Sequence, residues 1–400
     1  MLEKALQGDK RYWTWIGILV VLMAIAGIFY IQQFNKGLTI TGLSRDVSWG
    51  FYIAQFTFMV GVAASAVMVV LPYYLHDHKA FGKVTILGEF VAIPSVILCM
   101  LFIVVDLGQP MRGINIMRYP TPNSLMFWDL IALSGYLLLN VVISRVTLDA
   151  ERRAVPPPGW IKPIIYLSIP WAVSIHTVTA FLYSGLAART FWMTAVLAPR
   201  FLASAFSSGP ALLILAVFII RKFTKFEPGQ EAVKKLSLIV TYAMLINVFL
   251  ILMEIFTAYY SNIPEHMNHF QYLFFGLDGH NNLVPWMWTS VILAVVSLVL
   301  LINPSTRNNN RTLGFACVTV FLSIWIDKGL GMVVTGFVPN PLGTVTEYWP
   351  TIPELFISLG VYAFGLLLVT GFYKIALSVK EDYQLKEEKH KKVIARTSGA

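Results

Sequence analysis

The stretch Leu212-Leu-Ile-Leu-Ala-Val-Phe-Ile-Ile220 is apolar at every position. A membrane barrel strand is about ten residues long and alternates in polarity, one side chain to lipid and the next to the lumen. This run has no polar face, so it reads as part of a helix crossing a bilayer. Outward from it, apolar runs long enough to span recur along the chain. They cover approximately 12–31, 50–75, 84–107, 125–145, 163–186, 201–220, 236–260, 284–302, 312–337 and 353–377. The fold class expected is therefore an all-α integral membrane protein with ten transmembrane helices. Residues 1–377 form one polytopic domain, and 378–400 a charged tail. At 57% hydrophobic and 13% charged, the 400-residue chain holds no polar block long enough for a separate soluble domain. The first run is too long for a signal-peptide core, and no small-residue cleavage site follows it, so it reads as a retained span.

Charge sets the expected orientation. With the N-terminus inside, the inner segments carry 23 of the 30 Lys and Arg and the outer loops carry 6. Short loops rich in Lys and Arg stay cytoplasmic, which places both termini on that side of an inner membrane. The net charge of +9 follows from this bias and from anionic lipid; it does not point to nucleic acid. The two cysteines, Cys99 and Cys317, lie within spans and form no CxxC pair. An iron–sulfur cluster needs about four Cys ligands. Of seven His, only His176 lies deep in a span, with His76 and His78 in an inner loop, His266, His269 and His280 in an outer one, and His390 in the tail. One intramembrane His cannot supply a bis-His haem. The chain is expected to bind neither group and no metal.

Ionisable residues inside spans are costly in lipid and point to function. Asp106, Asp129, His176, Glu254 and Asp327 populate the outer half, with Arg112, Arg118, Arg189 and Arg200 in the outer loops. Glu89 stands in the inner half, about 25 Å from Asp106 by helix rise, with Thr85, Ser95 and Ser168 as hydrogen-bonding company. Plain structural roles compete: Asp106 ending a helix, Asp129 in the first turn of one, Asp327 paired with a neighbour, Glu354 as a cap. The outer segment 106–129 is dense in Gly, Pro and Arg, which suits a docking surface or a lid.

Two motifs carry a family resemblance. Asp106-Leu-Gly-Gln-Pro-Met-Arg112, leading into Asn-Ser-Leu-Met-Phe-Trp128, and Tyr183-Ser-Gly185 followed by Phe191-Trp192, Pro199-Arg-Phe-Leu-Ala-Ser-Ala205 and Gly209 resemble the NrfD/polysulfide-reductase membrane subunits. The similarity covers a core of about 50–337. Within that family, the ten-helix plan and Ser174-Ile-His176-Thr-Val-Thr-Ala-Phe181 are most similar to DsrP-type subunits of sulfur-metabolism complexes. Qrc and alternative complex III subunits are near competitors. The resemblance implies two four-helix bundles, helices 2–5 and 6–9, flanked by helices 1 and 10. It implies menaquinone or another quinone near the periplasmic face. It also implies a ferredoxin-like iron–sulfur partner docked there, alongside a periplasmic cytochrome c, a haem b membrane subunit and a cytoplasmic iron–sulfur subunit.

On that expectation, His176 would meet a quinone carbonyl because an imidazole changes charge near neutral pH. Asp106, Arg112 and Asp129 would form the polar head of the pocket, and Tyr183 and Trp128 would pack on the ring. Glu89, Thr85, Ser95 and Ser168 would serve an inner proton path, and Glu254 with Asp327 a second relay. An ion-coupled transporter and a purely structural anchor are the competing classes.

Overall fold

The structure is a computed structural model that describes residues 7–63, 66–75, 81–153, 155–223 and 229–397; His76 and His78 lie outside the described residues. Among these, ten helices are long and apolar enough to cross a membrane, and the sole β feature is an isolated bridge between Leu277 and His280. In chain order we label α1 (Lys10–Lys36), α2 (Phe51–Ala63), α3 (Val67–Leu75), α4 (Gly82–Asp106), α5 (Leu125–Arg153), α6 (Ile161–Ser184), α7 (Leu197–Phe223), α8 (Gln230–Ser261), α9 (Pro264–Phe274), α10 (Val284–Ile302), α11 (Asn310–Ile324), α12 (Met332–Thr335) and α13 (Ile352–Thr397). A π-helical turn, Trp325–Gly331, joins α11 to α12. The segments 37–50, 107–124, 185–196, 262–283 and 336–351 gather at one end of the molecule, called here the loop-rich end.

The ten spans fall where hydropathy puts them, but several ends move. Helix α5 runs on to Arg153 and α13 to Thr397, so the charged tail continues the last span as helix. Helix α7 begins at Leu197, which puts Arg200 inside a helix rather than in an outer loop. Helical hydrogen bonding does not stop where apolar side chains stop: Arg153 ends α5 exposed, whereas Arg200 is buried in α7 and held by its partners.

Helix α2 is the centre of the molecule, with every residue from Phe51 to Ala63 buried. It packs on α4, α6, α7 and the π turn. Lipid tails are as apolar as the helices, so helix contact here rests on small residues and hydrogen bonds. A Cβ at Gly329 would meet the Ala54 carbonyl at 3.2 Å, and one at Gly61 would meet Lys328 Nζ at 3.3 Å. Elsewhere α4 pairs with α5 and α5 with α6, while α7 pairs with α8 and α11, and α10 with α11. Helices α1 and α13 lie together, Gly360 facing Ala26. The outer face of α1 is bare, with Ile18, Val21, Ile28 and Ile31 exposed.

At the start of α13, Glu354 does serve as a cap, accepting from the Thr351 backbone N–H at 2.8 Å. It also accepts from the Gly42 N–H at 2.7 Å and from the Tyr348 hydroxyl at 2.6 Å. The cap is therefore also a clasp that holds the 37–50 segment to the loop-rich end.

Candidate functional site

On α6 the residues His176, Thr179 and Tyr183 recur at i, i+3 and i+7 and so share one face. All three are fully buried. Thr179 Oγ1 donates to Asp129 Oδ1 on α5 at 2.6 Å. Tyr183 Oη and Thr57 Oγ1 on α2 lie 2.5 Å apart. The imidazole of His176 has no hydrogen-bond partner at either nitrogen among the described residues. Buried polar atoms are almost always satisfied, so this imidazole is a group held in reserve. The column Asp129–Thr179–His176, with Tyr183 above it, thus joins α5, α6 and α2.

Above Tyr183 sits an aromatic cluster. Trp192 and Trp49 stack at 5.8 Å between centroids, and Tyr183 meets Trp192 edge-on at 4.9 Å. Trp192 donates to the Met332 carbonyl at 2.9 Å, which ties the 185–196 segment to α12. Nearby, α9 docks through His269. Its Nδ1–H donates to the Val338 carbonyl at 3.0 Å and its Nε2 accepts from the Thr190 hydroxyl at 3.0 Å. Burial pushes His269 down to about 4.

A second buried cluster lies on α7, α8 and the π turn, and α7 meets α6 directly, with the Tyr183 and Phe201 rings 6.0 Å apart. Arg200 on α7 donates through Nη1 to Glu254 on α8 at 2.6 Å, and through Nη2 to both oxygens of Asp327 at 2.7 and 2.9 Å. Lys328, the next residue in the π turn, points elsewhere. Its Nζ stands 4.2 Å over the Phe201 ring and 3.5 Å from the Phe201 carbonyl.

The structure thus brings together three of the six residues expected around a quinone ring: His176, Asp129 and Tyr183. Asp106 ends α4 with Oδ1 buried and without a hydrogen-bond partner among the described residues. Arg112 is exposed on the 110–112 turn, and Trp128 is exposed with its indole donating to the Pro122 carbonyl at 2.7 Å. Of the expected proton-path residues, Glu89 is buried, while the hydroxyls of Thr85, Ser95 and Ser168 donate to carbonyls of their own helices. Glu254 and Asp327 share Arg200. Thr57, Thr179, Arg200 and Lys328 were not among the candidates. A hydroxyl three residues after His176 was a signal available for Thr179.

Between α6 and the start of α7, at the loop-rich end, a groove of about 300 Å³ is lined by Phe181, Ser184, Met193, Thr194, Ala195 and Ala198. Phe181 and Met193 are about half exposed, so the groove is open at the molecular surface.

The family model for "Polysulphide reductase, NrfD" matches residues 39–328, which takes in both clusters, the groove and the central helix. The chain belongs to the NrfD family. Over 399 residues it is 25% identical to a putative dimethyl sulfoxide reductase membrane subunit of Halobacterium salinarum, with 89% of each chain covered. It is 24% identical to the Hdr-like menaquinol oxidoreductase integral membrane subunit of Archaeoglobus fulgidus, covering 94% of this chain and 96% of that one. It is also 24% identical to a selenate reductase subunit of Mesobacillus selenatarsenatis, covering 90% and 92%.

A quinone needs an apolar slot reachable from the bilayer and polar groups at its two carbonyls. In this NrfD-family chain the two requirements are met side by side rather than in one cavity. The groove is at the small end of ligand-pocket sizes, about 300–1,000 Å³, and offers the Ser184 and Thr194 hydroxyls. The unsatisfied imidazole lies about two helical turns further along α6 from Ser184 and is 0% exposed. The Ser184 and Thr194 hydroxyls of the groove fit a quinone carbonyl, while His176 is buried and is not among the residues that line the groove.

Proposed function

We propose that this chain is the quinone-interacting membrane subunit of a multisubunit oxidoreductase complex. It exchanges electrons between a menaquinone-type quinone and a partner iron–sulfur or cytochrome subunit bound at the loop-rich end. The observation that carries this reading is the His176 imidazole, buried and unpartnered, one turn from a Thr179–Asp129 pair and about two helical turns along α6 from an open groove. Support also comes from the menaquinol oxidoreductase named among its relatives. With the Lys/Arg bias read as positive-inside, the loop-rich end faces outward from a cytoplasmic membrane. The similarity of Ser174–Phe181 to DsrP-type subunits favours a sulfur-metabolism complex.

A bound quinone supplies two-electron, two-proton chemistry at its ring carbonyls. The residues of the chain do the rest. Phe181, Met193, Ala195 and Ala198 give the groove an apolar wall, and Ser184 and Thr194 orient a carbonyl. His176 accepts or returns a proton at a ring nitrogen. Asp129, bonded to Thr179 one turn along α6 from His176, is the carboxylate of the column. Tyr183, fixed by Thr57 and Trp192, closes the column from above.

The test is made on the intact complex in lipid nanodiscs. H176Q and D129N are expected to lower menaquinol-dependent turnover at least about tenfold, the range for losing a proton-transfer group, while assembly is retained. S184W, which fills the groove, is expected to abolish binding of a menaquinone analogue. Unchanged turnover in both column variants, or full analogue binding in S184W, would overturn the assignment. A complex that turns over without any quinone would leave only the anchor reading.

A further inference from the structure

One folded segment at the loop-rich end is left uncovered by the rest of the described residues. Helix α4 ends at Asp106 and α5 begins at Leu125. Between them Pro110 opens a 3-10 turn, Pro110–Arg112, and Asn115–Arg118 forms a single helical turn. The backbone N–H groups of Arg112, Arg118 and Tyr119 are bonded within the segment at 2.9, 3.1 and 2.8 Å. Both ends are tied down. A Cβ at Gly108 would meet Leu38 at 3.4 Å, and the Pro122 carbonyl accepts from the Trp128 indole at 2.7 Å. Between the ties, every residue of 109–123 except Pro110, Gly113 and Ile116 is exposed. Met111 is 76%, Met117 69% and Tyr119 74% exposed, so the chain itself does not cover them.

Exposed apolar surface gathered in one place marks an interaction site, and lipid and protein select different residues for it. The bare face of α1 is aliphatic, with Ile18, Val21, Ile28 and Ile31. The exposed set of 109–123 instead mixes methionine and tyrosine with Arg112, Arg118, Asn115 and Asn123. The whole of 107–124 carries two Arg and no Lys, Asp or Glu. Protein interfaces are enriched in Met, Tyr and Arg and depleted in Lys, Asp and Glu. A methionine adapts to the apolar surface laid on it, and a guanidinium forks onto a carboxylate.

Charge at the loop-rich end is also lopsided. Segments 262–283 and 336–351 hold Glu265, Asp278 and Glu347 with no Lys or Arg. Arg45 and Asp46 offset each other, with Nη2 3.5 Å from Oδ1. Arg189 is turned onto the Phe337 ring, 4.3 Å from its centroid. Arg112 and Arg118 stand exposed in a segment without a carboxylate. An acidic surface is therefore drawn to 107–124 and repelled by the other two segments.

We propose that 109–123 is the docking platform for the electron-carrying partner subunit, which sets carboxylates against Arg112 and Arg118 and apolar side chains on Met111, Met117 and Tyr119. The partner is a water-soluble redox protein with an acidic face. The platform seats it on the Ser184 side of the groove, because Gly185 abuts the start of α5: a Cβ there would meet the Leu125 side chain at 2.6 Å. The proposal rests on the reading of the chain as a subunit that exchanges electrons at the loop-rich end.

The test compares the full chain alone with the assembled complex, both in phosphatidylcholine nanodiscs, by hydroxyl-radical labelling of Met111, Met117 and Tyr119. The three are expected to be labelled in the chain alone and protected in the complex. Protection already present in the chain alone would mean that lipid covers the segment, and equal labelling in both would mean that nothing does; either result overturns the proposal. The second measurement titrates the co-purifying redox subunit, followed by its own haem or iron–sulfur absorbance, back onto the salt-stripped chain. R112E/R118E is expected to weaken binding at least about tenfold, and R112K/R118K, which keeps the charge, to stay within about threefold of wild type. Binding of the subunit to R112E/R118E within about twofold of wild type overturns the proposal. Both arginines are exposed, so the labelling needs no variant and the variants disturb no core. R112E/R118E is also expected to bind a menaquinone analogue as wild type does. Failure of the wild-type chain to bind that analogue would sink the quinone reading, while labelling and titration still decide the platform.

Discussion

The Arg200 cluster gives the sharpest stability prediction. In R200M, Glu254 and Asp327 lose three charge-assisted hydrogen bonds of 2.6 to 2.9 Å. Neither carboxylate has water to turn to, since both side chains are about nine-tenths buried. Removing one partner of a buried pair costs about 3–5 kcal/mol because a charge is left uncompensated. Here one guanidinium serves two carboxylates, so the upper part of that range applies. The triple variant R200M/E254Q/D327N carries no stranded charge, and neutral replacement of a buried ion set is often close to harmless. The order expected is wild type, then the triple variant, then R200K, then R200M, because an ammonium cannot fork to two acids as a guanidinium does. Thermal melting of the purified complex measures it. At about 1–2 °C per kcal/mol for a chain of this size, an extrapolation of the trend with domain length, R200M should lose about 5 °C or more. A midpoint within about 1 °C of wild type, or a triple variant less stable than R200M, would refute the reasoning.

Two further outcomes follow from the loop-rich end. His269 docks α9 in its neutral form, and burial holds it at about 4 against an ordinary 6.5. Undocked chain therefore binds the proton first, and docking is at full strength above pH 6.5 and weakens as pH falls from 6.5 toward 4, by about 3 kcal/mol at the end of the window; proteolytic nicking of 262–283 should rise over that range in wild type and stay flat in H269Q, and equal profiles would remove His269 as the cause. At Gly336 a Cβ would stand 1.9–2.0 Å from the Trp192 ring, so G336A must displace that indole and its bond to Met332; loss of about 1–3 kcal/mol is expected, read as a lower melting midpoint, and an unchanged midpoint with unchanged tryptophan emission would contradict the packing described.

The spans were legible because ten apolar runs leave no other reading, and the α6 column was half legible because a lone His deep in a span is costly in lipid and so points to function. What the sequence hid has specific causes. Arg200 lies one residue before the apolar run 201–220, so hydropathy assigns it to a loop although the helix has already begun at Leu197. The pairing of Glu254 with Asp327 through that arginine depends on three helices meeting, which no spacing records. The π turn has no composition signature; Trp325–Gly331 reads as ordinary apolar helix with a charged pair in it. Arg112 and Trp128 belong to the motif that carries the family resemblance, yet both are exposed at the loop-rich end. A motif marks residues a family keeps in common, and those of a docking surface look the same in a string as those of a pocket.

The central position of α2 follows from what a bilayer leaves available to hold helices together. Apolar contact alone does not distinguish a helix from lipid, so a helix buried on every side needs polar bonds and close small residues to fix its neighbours. Helix α2 carries few such groups, and they point in different directions. Gln55 Oε1 accepts from Trp325 at 2.7 Å and from Tyr362 at 2.6 Å, joining the π turn to α13. Tyr52 donates to Gln33 on α1 at 2.7 Å, Thr57 holds α6, and Gly61 admits Lys328. The same face of α2 therefore touches Tyr183 through Thr57 and Lys328 at Gly61. Helix α2 has little freedom to move, because shifting it would break bonds to several neighbours. Coupling between distant sites needs an element that both of them bias; α2 touches both clusters, and α6 also meets α7 directly, with the Tyr183 and Phe201 rings 6.0 Å apart.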